Sequence, residues 1–270
     1  MRLYPNAKIN IGLNVGNTRA DGYHNIETVF YPISLHDILD IEPCSAPTTF
    51  ENDGIPVDCD SNDNLIMRTY NMLREQYPAV GNVHFKLTKH IPFGAGLGGG
   101  SSDASFTAKG LNEIFKLGLT EDELARIIKP VGADCPFFIY NRPMFAQGIG
   151  EQLQEQQVNL NGLYLVLVKP EVSIPTATAY REVPCQTLNG DLAIKVQQPI
   201  EEWKNSVSNA FETSVFPHYS VIADIKQSLY DSGAVYASMT GTGAAVYGLF
   251  SQSPIIPQKL KSYFIFEQQL

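Results

Sequence analysis

The stretch IPFGAGLGGGSSDAS, residues 91–105, sets the first constraint on the fold. Five of its fifteen residues are glycine, and the run ends in hydroxyl side chains and an acid. Glycine allows positive φ and lets another group come close to the main chain. The stretch therefore predicts a loop that some other group contacts directly.

The residues on either side of this loop predict a strand before it and a helix after it. Residues 82–90 alternate in polarity, with Val83, Phe85 and Leu87 facing inward. After the loop, apolar residues spaced three or four apart predict a helix that ends at Gly118. The side chains expected to cap the start of this helix are those of Ser101, Ser102 and Asp103.

A glycine loop that leads into a helix is a candidate anion site, because N–H groups and the positive end of the helix meet there. The dinucleotide-binding motif does not fit, since Pro92 interrupts the entry and the preceding strand is half polar. The P-loop motif does not fit either, because no lysine follows Gly100. A plain linker is the simplest alternative, but the loop is closely flanked by a strand and a helix. We therefore expect the loop to bind phosphate.

The remainder of the N-terminal half adds a strand and two helices. The segment NAKINIGLNV alternates cleanly and places Lys8 and Asn10 on the open face of a half-buried strand. Residues 64–77 predict a helix, and Thr120 with Glu123 predicts a capping box on a short one.

Beyond residue 150 the pattern changes. The Gln- and Asn-rich piece Glu151–Asn161 predicts either a linker or a polar hairpin, and Leu163–Val168 predicts a buried strand. Helices, two strands around the second glycine pair MTGTGAAVYG, a short helix and a last strand follow. This order suggests an α+β sandwich of the split βαβ kind. The second glycine pair is most simply a hairpin loop, and it gains interest only if it faces the first loop.

Composition limits the partners and the cellular location that we expect for this protein. A net charge of −9 argues against nucleic acid as a partner. No signal peptide is expected, and no apolar run reaches the ~20 residues that span a membrane. The cysteines are scattered and predict reduced thiols of a cytoplasmic protein; they are Cys44, Cys59, Cys135 and Cys185. No metal-ligand motif is found.

Taken together, the motifs resemble the GHMP kinase superfamily. PFGAGLGGGSSDAS is similar to its central glycine loop, and MTGTGAAV to its C-terminal glycine turn. The resemblance implies a two-domain α+β fold, with a ribosomal-S5-like α/β domain and a ferredoxin-like (split βαβ) domain. We expect an ATP-binding and catalytic domain over residues 1–155 and a second domain over 156–270 that completes the substrate cleft.

Three further segments resemble the branch of this superfamily that phosphorylates CDP-linked methylerythritol. They are AKINIGLNVGNTRADGYHNIETVF, GADCPFF and SIPTATAYR. The resemblance implies transfer of the ATP γ-phosphoryl group to the 2-hydroxyl of this substrate, in the non-mevalonate isoprenoid pathway. It gives Asp134 the role of catalytic base and Lys8 that of catalytic lysine. A nearby ammonium would keep the acid ionised by charge pairing.

The resemblance also assigns binding residues. Those for ATP are Asn64, Pro92, Phe93, Gly94, Ala95, Gly96, Leu97, Gly98, Gly99, Gly100, Ser101 and Ser102, with Leu65 near the adenine. Those for the substrate are Asn10, Tyr23, His24, Phe30, Thr176, Tyr180 and Thr242, of which His24 reads the cytosine edge. For the aromatic residues core packing is the alternative, and for Phe30 the two interpretations are equally weighted.

We expect Mg²⁺ to arrive with ATP, bridging the phosphates with water and the hydroxyl of Ser101 or Ser102. The sequence marks no acidic residue as its ligand. The expected partner is a small molecule rather than a membrane or nucleic acid, and the protein is expected to be a monomer or a weak homodimer. The alternatives are a related kinase acting on homoserine or mevalonate, and a non-catalytic nucleotide sensor. Lys8 with Asp134 argues against a sensor.

Overall fold

The computed structural model describes residues 1–55 and 64–270, which form two compact units that interleave along the chain. Unit 1 consists of Met1–Lys8, Pro32–Phe93 and Gly98–Arg142. Unit 2 consists of Ile9–Tyr31, Gly94–Leu97 and Pro143–Leu270.

Strands and helices are mixed in both units. The strands are β1 (Arg2–Leu3), β2 (Asn6–Thr18), β3 (His24–His36), β4 (Ile38–Pro43), β5 (Thr49–Gly54), β6 (Val83–Lys89), β7 (Met144–Gln147), β8 (Gln152–Glu155), β9 (Tyr164–Lys169), β10 (Tyr236–Met239), β11 (Val246–Phe250) and β12 (Phe264–Gln269). The helices are α1 (Leu65–Gln76), α2 (Gly99–Ile114), α3 (Glu121–Ile128), α4 (Cys135–Tyr140), α5 (Thr176–Arg181), α6 (Asp191–Lys195), α7 (Ile200–Ser206), α8 (Phe211–Val215) and α9 (Ser220–Asp231).

Unit 1 combines a four-stranded sheet, in the order β1-β4-β6-β5, with helices α1 to α4. β6 pairs antiparallel with β4 and parallel with β5. The inward face of β6, with Val83, Phe85 and Leu87, packs in one apolar core with Ala104 and Leu111 of α2. The sheet thus fixes where β6 ends and where the glycine loop begins.

Unit 2 contains a second sheet in the order β10-β11-β9-β12, in which every pairing is antiparallel. A third sheet has the order β2-β3-β7-β8, and its strands β2 and β3 contribute residues to both units. The core of unit 2 brings together Val166 of β9, Ile225 of α9 and Val246 of β11. The predicted strands at both ends of this half of the chain are confirmed.

Three expectations need correction or refinement. Ser101, Ser102 and Asp103 do not cap α2, because Gly98 is its N-cap and they lie inside its first turns. Lys8 and Asn10 are not on an open face, since both are buried. The polar piece after residue 150 is not a linker throughout, because β8 forms a hairpin with β7.

Two expectations drawn from composition concern membranes and thiols. Within residues 1–55 and 64–270, no helix combines the length and apolarity needed to cross a membrane. Cys44, Cys135 and Cys185 are free thiols. Cys59 lies outside the described residues.

Candidate active site

Lys8 and Asp134, the proposed catalytic pair, meet in unit 1. Lys8 Nζ lies 3.6 Å from Asp134 Oδ2. The Lys8 side chain is only 4% exposed, whereas that of Asp134 is 31% exposed. Burial lowers the pKa of Lys8, and the carboxylate of Asp134 partly opposes this shift. The pair therefore joins a buried cation to a carboxylate that solvent can reach.

Local structure explains how Asp134 is presented. It occupies the N-cap position of α4, which begins at Cys135 with a proline in its first turn, but its carboxylate makes no capping hydrogen bond. The carboxylate is therefore not used to hold the helix. Burial raises the pKa of the neighbouring Cys135 thiol to about 12, so Cys135 remains a neutral packing residue.

The helical end of the glycine loop lies beside Lys8. Gly98 has φ of +71°, and a Cβ on it would lie 3.2 Å from Lys8 Cε and 2.8 Å from the Phe138 ring. α2 starts at the next residue, and its first intrahelical bond runs from Ser102 N to Gly98 O at 2.9 Å. The N–H groups ahead of Ser102 have no intrahelical acceptor, so they are available to an anion next to the ammonium.

The glycines of the loop do not all serve the same purpose. In unit 2, a Cβ on Gly96 would lie 2.0 Å from Thr240 O, so this glycine is required by the backbone of the second glycine turn. The two glycine segments do face each other, since Ala244 N donates to Gly94 O at 3.1 Å. A Cβ on Gly100, by contrast, would meet only Leu65 Cδ1, at an ordinary 3.5 Å. Contacts within the protein therefore require a glycine at position 96, whereas at position 100 they leave room for a Cβ atom.

The other residues assigned to ATP have mixed surroundings. Asn64 is buried and caps α1, because its Oδ1 accepts a hydrogen bond from Ile66 N at 2.8 Å. Phe93 is exposed, and its ring lies 5.5 Å from Lys89 Nζ. The hydroxyl of Ser102 is buried and has no hydrogen-bond partner among the described residues. No cluster of three or more His, Cys, Asp or Glu side chains within the described ranges could hold a metal ion.

Asn10 belongs to a buried hydrogen-bond network of unit 2. Its Nδ2 donates to Thr28 Oγ1 at 2.9 Å, and Thr240 Oγ1 lies 3.2 Å from its Oδ1. Thr240, in the second glycine turn, is therefore a partner of Asn10 that sequence reasoning missed. Thr242, which was predicted, lies in the same turn.

The structure brings together two of the predicted aromatic residues. The rings of His24 and Tyr180 are 5.3 Å apart and tilted by 30°. His24 Nδ1 lies 2.9 Å from Gly16 O, so this nitrogen donates and Nε2 is the acceptor of the neutral ring. Cys185 Sγ is 3.8 Å from the same Nδ1, a neighbour that the sequence did not indicate.

The remaining three predicted substrate residues are not part of this aromatic pair. Tyr23 is 62% exposed in the turn before β3, and Phe30 is 1% exposed in the interior. Core packing thus accounts for the burial of Phe30. Thr176 is exposed at the first position of α5, the short helix that carries Tyr180.

Comparison with family models decides the identity of the fold. Residues 64–142 match the GHMP kinases N terminal domain, and residues 196–265 match the GHMP kinases C terminal domain. The chain belongs to the GHMP kinases. The resemblance and the α+β fold class are therefore confirmed, and the protein is an ATP-dependent kinase.

Individual relatives place the chain more narrowly within the GHMP kinases. A 4-diphosphocytidyl-2-C-methyl-D-erythritol kinase of Parabacteroides distasonis is 45% identical, with all of both chains covered. A crystal structure of 4-(cytidine 5'-diphospho)-2C-methyl-D-erythritol kinase matches with a TM-score of 0.78 and 30% identity, over 92% of this chain and 90% of that one. A Methanococcus jannaschii mevalonate kinase shares the fold alone, with a TM-score of 0.68 at 13% identity over 99% and 97% of the two chains.

Proposed function

We propose that this protein transfers the γ-phosphoryl group of ATP to the 2-hydroxyl of 4-diphosphocytidyl-2-C-methyl-D-erythritol, in the non-mevalonate isoprenoid pathway. The observation that carries the proposal is the Lys8–Asp134 pair beside Gly98, at the start of α2. The 45% identity to the Parabacteroides distasonis kinase supports the choice of substrate.

In this proposal Asp134 is the base. Its carboxylate accepts the proton of the 2-hydroxyl as that oxygen bonds to the γ-phosphorus, and the bond to the bridging oxygen breaks to release ADP. Lys8 supplies positive charge close to the transferred group, and the N–H groups at the start of α2 hold phosphate oxygens. Three features support these roles. Lys8 is a buried cation, the carboxylate of Asp134 is accessible to solvent, and no side chain caps the start of α2.

Mg²⁺ would be held mainly by the ATP phosphates and by water. The hydroxyl of Ser102 fits the role of a Mg²⁺ ligand, because it is buried at the end of the first turn of α2 without a hydrogen-bond partner in the described ranges. A bound Mg²⁺ would neutralise phosphate charge.

The cytidyl group is assigned to His24 and Tyr180. The two rings lie close enough to hold a pyrimidine by stacking and edge contact. Their fixed arrangement supports the assignment, since Gly16 O holds the His24 ring and Tyr180 packs edge-on against Phe211 at 4.7 Å. Asn10, Thr176 and Thr242 are proposed to contact the polyol or phosphates, and Tyr23 to contribute to the base site. Phe30 is buried in the interior, which favours core packing over a contact with the base.

The remaining predictions belong to the same proposal. We propose a functional division near residue 155, a cytoplasmic location, and a monomer or weak homodimer without nucleic-acid or membrane partners. Light scattering, with and without substrate, measures the mass of the protein in solution and so tests the oligomeric state.

ADP release tests the reaction directly. The purified protein is given ATP, Mg²⁺ and one of three alcohols: the cytidyl-methylerythritol compound, homoserine or mevalonate. We expect release above background only with the first. Faster release with either of the others would assign the chain to a different GHMP activity, and release with none would favour a nucleotide sensor.

Two glycine variants of α2 test the phosphate site. Gly100→Ala introduces a methyl group where protein atoms leave room, so we expect unchanged or higher thermal stability together with an increase in KM for ATP of about tenfold. Gly110→Ala, on the same helix, places a Cβ 2.6 Å from Ile41 Cδ1 and should lower stability with an unchanged KM. An unchanged KM in Gly100→Ala would remove Gly100 from the phosphate site.

A further inference from the structure

A buried cluster of one lysine and two aspartates lies in unit 1, outside the pair proposed for catalysis. Lys89 Nζ donates hydrogen bonds to Asp37 Oδ2 and, at 2.7 Å, to Asp103 Oδ2. All three side chains are almost completely buried. The proposed reaction makes no use of them.

The cluster connects the two sides of the glycine loop. Asp37, between β3 and β4, also accepts hydrogen bonds through Oδ1 from His90 N at 2.6 Å and Ile91 N at 2.8 Å. His90 directly precedes the glycine-rich stretch, and Ile91 is its first residue. Asp103 lies on α2, just after it. One ammonium therefore ties the segment that enters the loop to the helix that leaves it.

Lys89 also contacts the loop itself. A Cβ on Gly99, the first residue of α2, would lie 3.0 Å from Lys89 Nζ and 3.0 Å from a methyl carbon of Ile91. The start of α2 therefore packs against the ammonium group of Lys89. A shift of Lys89 would move the N–H groups that are proposed to hold phosphate.

Stability alone does not account for such a cluster. Taking charged groups out of water is costly, and well-packed apolar side chains commonly replace buried ion pairs without loss of stability. Lys89 is in phase with Val83, Phe85 and Leu87 on the inward face of β6, where an apolar residue would be the usual choice. Ionic contacts in this place give fixed distances that apolar contacts do not give.

We propose that Lys89, Asp37 and Asp103 are positioning residues that set the separation of the two sides of the glycine loop and hold the start of α2 in the geometry that binds ATP. This inference rests on the proposed role of the loop as the ATP site. None of the three needs to touch the nucleotide.

The two aspartates provide a matched pair of isosteric variants. Asp37 uses both oxygens, so Asp37→Asn must turn an NH₂ group towards either the ammonium or the two backbone N–H groups. Asp103 uses only Oδ2, and its Oδ1 has no partner in the described part of the chain. Asp103→Asn therefore keeps its acceptor for Lys89, whereas Asp103→Ala removes it.

The experiment measures binding of the non-hydrolysable analogue AMP-PNP by calorimetry, KM and kcat for ATP, and the melting temperature. For Asp37→Asn we expect Kd and KM to rise about tenfold, with a smaller change in kcat at saturating ATP. For Asp103→Ala we expect a similar rise, and Asp103→Asn should bring Kd back to within about threefold of the wild type.

Leu73→Ala is the control for stability, because it removes an apolar core side chain of unit 1 that takes no part in the hydrogen bonds of the cluster. Its melting temperature should fall while Kd stays at the wild-type value. If Asp37→Asn and Asp103→Ala also kept the wild-type Kd, or if Asp103→Asn were no better than Asp103→Ala, the positioning role would be refuted. Failure of the wild-type protein to bind AMP-PNP would instead refute the ATP site itself.

Discussion

Unit 1 contains two buried lysines, Lys8 and Lys89, whose contacts with carboxyl groups differ in distance and in exposure. Lys8 has Asp134 at 3.6 Å, and that carboxylate is partly exposed. Lys89 has two buried carboxylates in direct hydrogen-bond contact. Burial lowers the pKa of Lys8, with Asp134 opposing it only in part. For Lys89, burial acts in the same direction, but Asp103 and Asp37 together raise the pKa.

The difference separates a pair that can react from a cluster that holds structure. The long contact of Lys8 leaves oxygen lone pairs of Asp134 available to another donor, such as a substrate hydroxyl. The cluster around Lys89 uses its donors inside the protein and is closed to solvent. The same kind of substitution should therefore change different measured properties in the Lys8–Asp134 pair and in the cluster around Lys89.

The largest effect is expected from Asp134→Asn. An amide cannot accept the proton of the substrate hydroxyl, so kcat should fall about a thousandfold, with both ligands still bound. The melting temperature should hardly change, because the carboxylate caps no helix. Steady-state kinetics and calorimetry with the cytidyl substrate measure both quantities.

Asp103→Asn is the matched control for this prediction, since it makes the same chemical change at a buried carboxylate of the other group. Its kcat should remain within about threefold of the wild type. Comparable losses of kcat in the two variants would contradict the distinction between a reactive pair and a positioning cluster.

A large effect on stability is expected when methionine replaces Lys89, but not when it replaces Lys8. Lys89→Met leaves two carboxylates buried without their cation and should lower the free energy of unfolding by about 3 kcal/mol. Lys8→Met removes a buried charge and leaves a carboxylate that water can reach, so stability should stay the same or rise. Urea denaturation of the two variants measures this comparison. A Lys8→Met protein as unstable as Lys89→Met would show that both lysines have the same structural role.

The sequence did not predict the difference between the contacts of Lys8 and those of Lys89. It did predict several of the helices and strands around them. The local patterns of α2, of the capping box on α3 and of the strands β6 and β11 predicted those elements, because periodicity and capping depend on residues close together in the chain. The glycine loop and the pair of Lys8 with Asp134 were also predicted.

The contacts that the sequence did not reveal join distant residues. Asp37 meets Lys89 across 52 positions, and Thr240 meets Gly96 across 144. Nothing local marks such pairs. One signal was present for Lys89, since a lysine in the inward phase of a strand needs a buried partner. The error at Asp103 has the same origin, because its partner is Lys89 and not a helix N–H group.

The pH dependence of kcat sharpens the comparison further. Since burial lowers the pKa of Lys8, this lysine should lose its proton below the ordinary value of 10.5. Activity should therefore decline as pH rises through the lowered pKa, by about tenfold per pH unit beyond it. The measurement is made in Asp103→Asn, which removes the titration of Asp103. Lys8→Arg, at its lower kcat, should lack this decline up to the pH at which the protein unfolds.

The smallest effect concerns Asp103 alone and is one of stability. Burial raises its pKa to about 8, with Asp37 adding to the rise and Lys89 opposing it. Because the ordinary value is 3.8, the native state binds more protons than the unfolded state between these two pKa values. The stability contributed by this group is thus complete below pH 4 and is lost as pH rises through about 8.

Asp103→Asn has no such titration. Its melting temperature relative to the wild type should therefore rise from pH 5 to pH 9, by the equivalent of about 1 kcal/mol or more. Asp134→Asn, measured in parallel by calorimetry, provides the baseline for loss of a carboxylate that is not enclosed. A difference between Asp103→Asn and the wild type that stays constant over this range would mean that Asp103 is already ionised at pH 5. The cluster would then carry a net negative charge beneath the proposed phosphate site, and its lysine would have to bind both aspartates as full ion pairs.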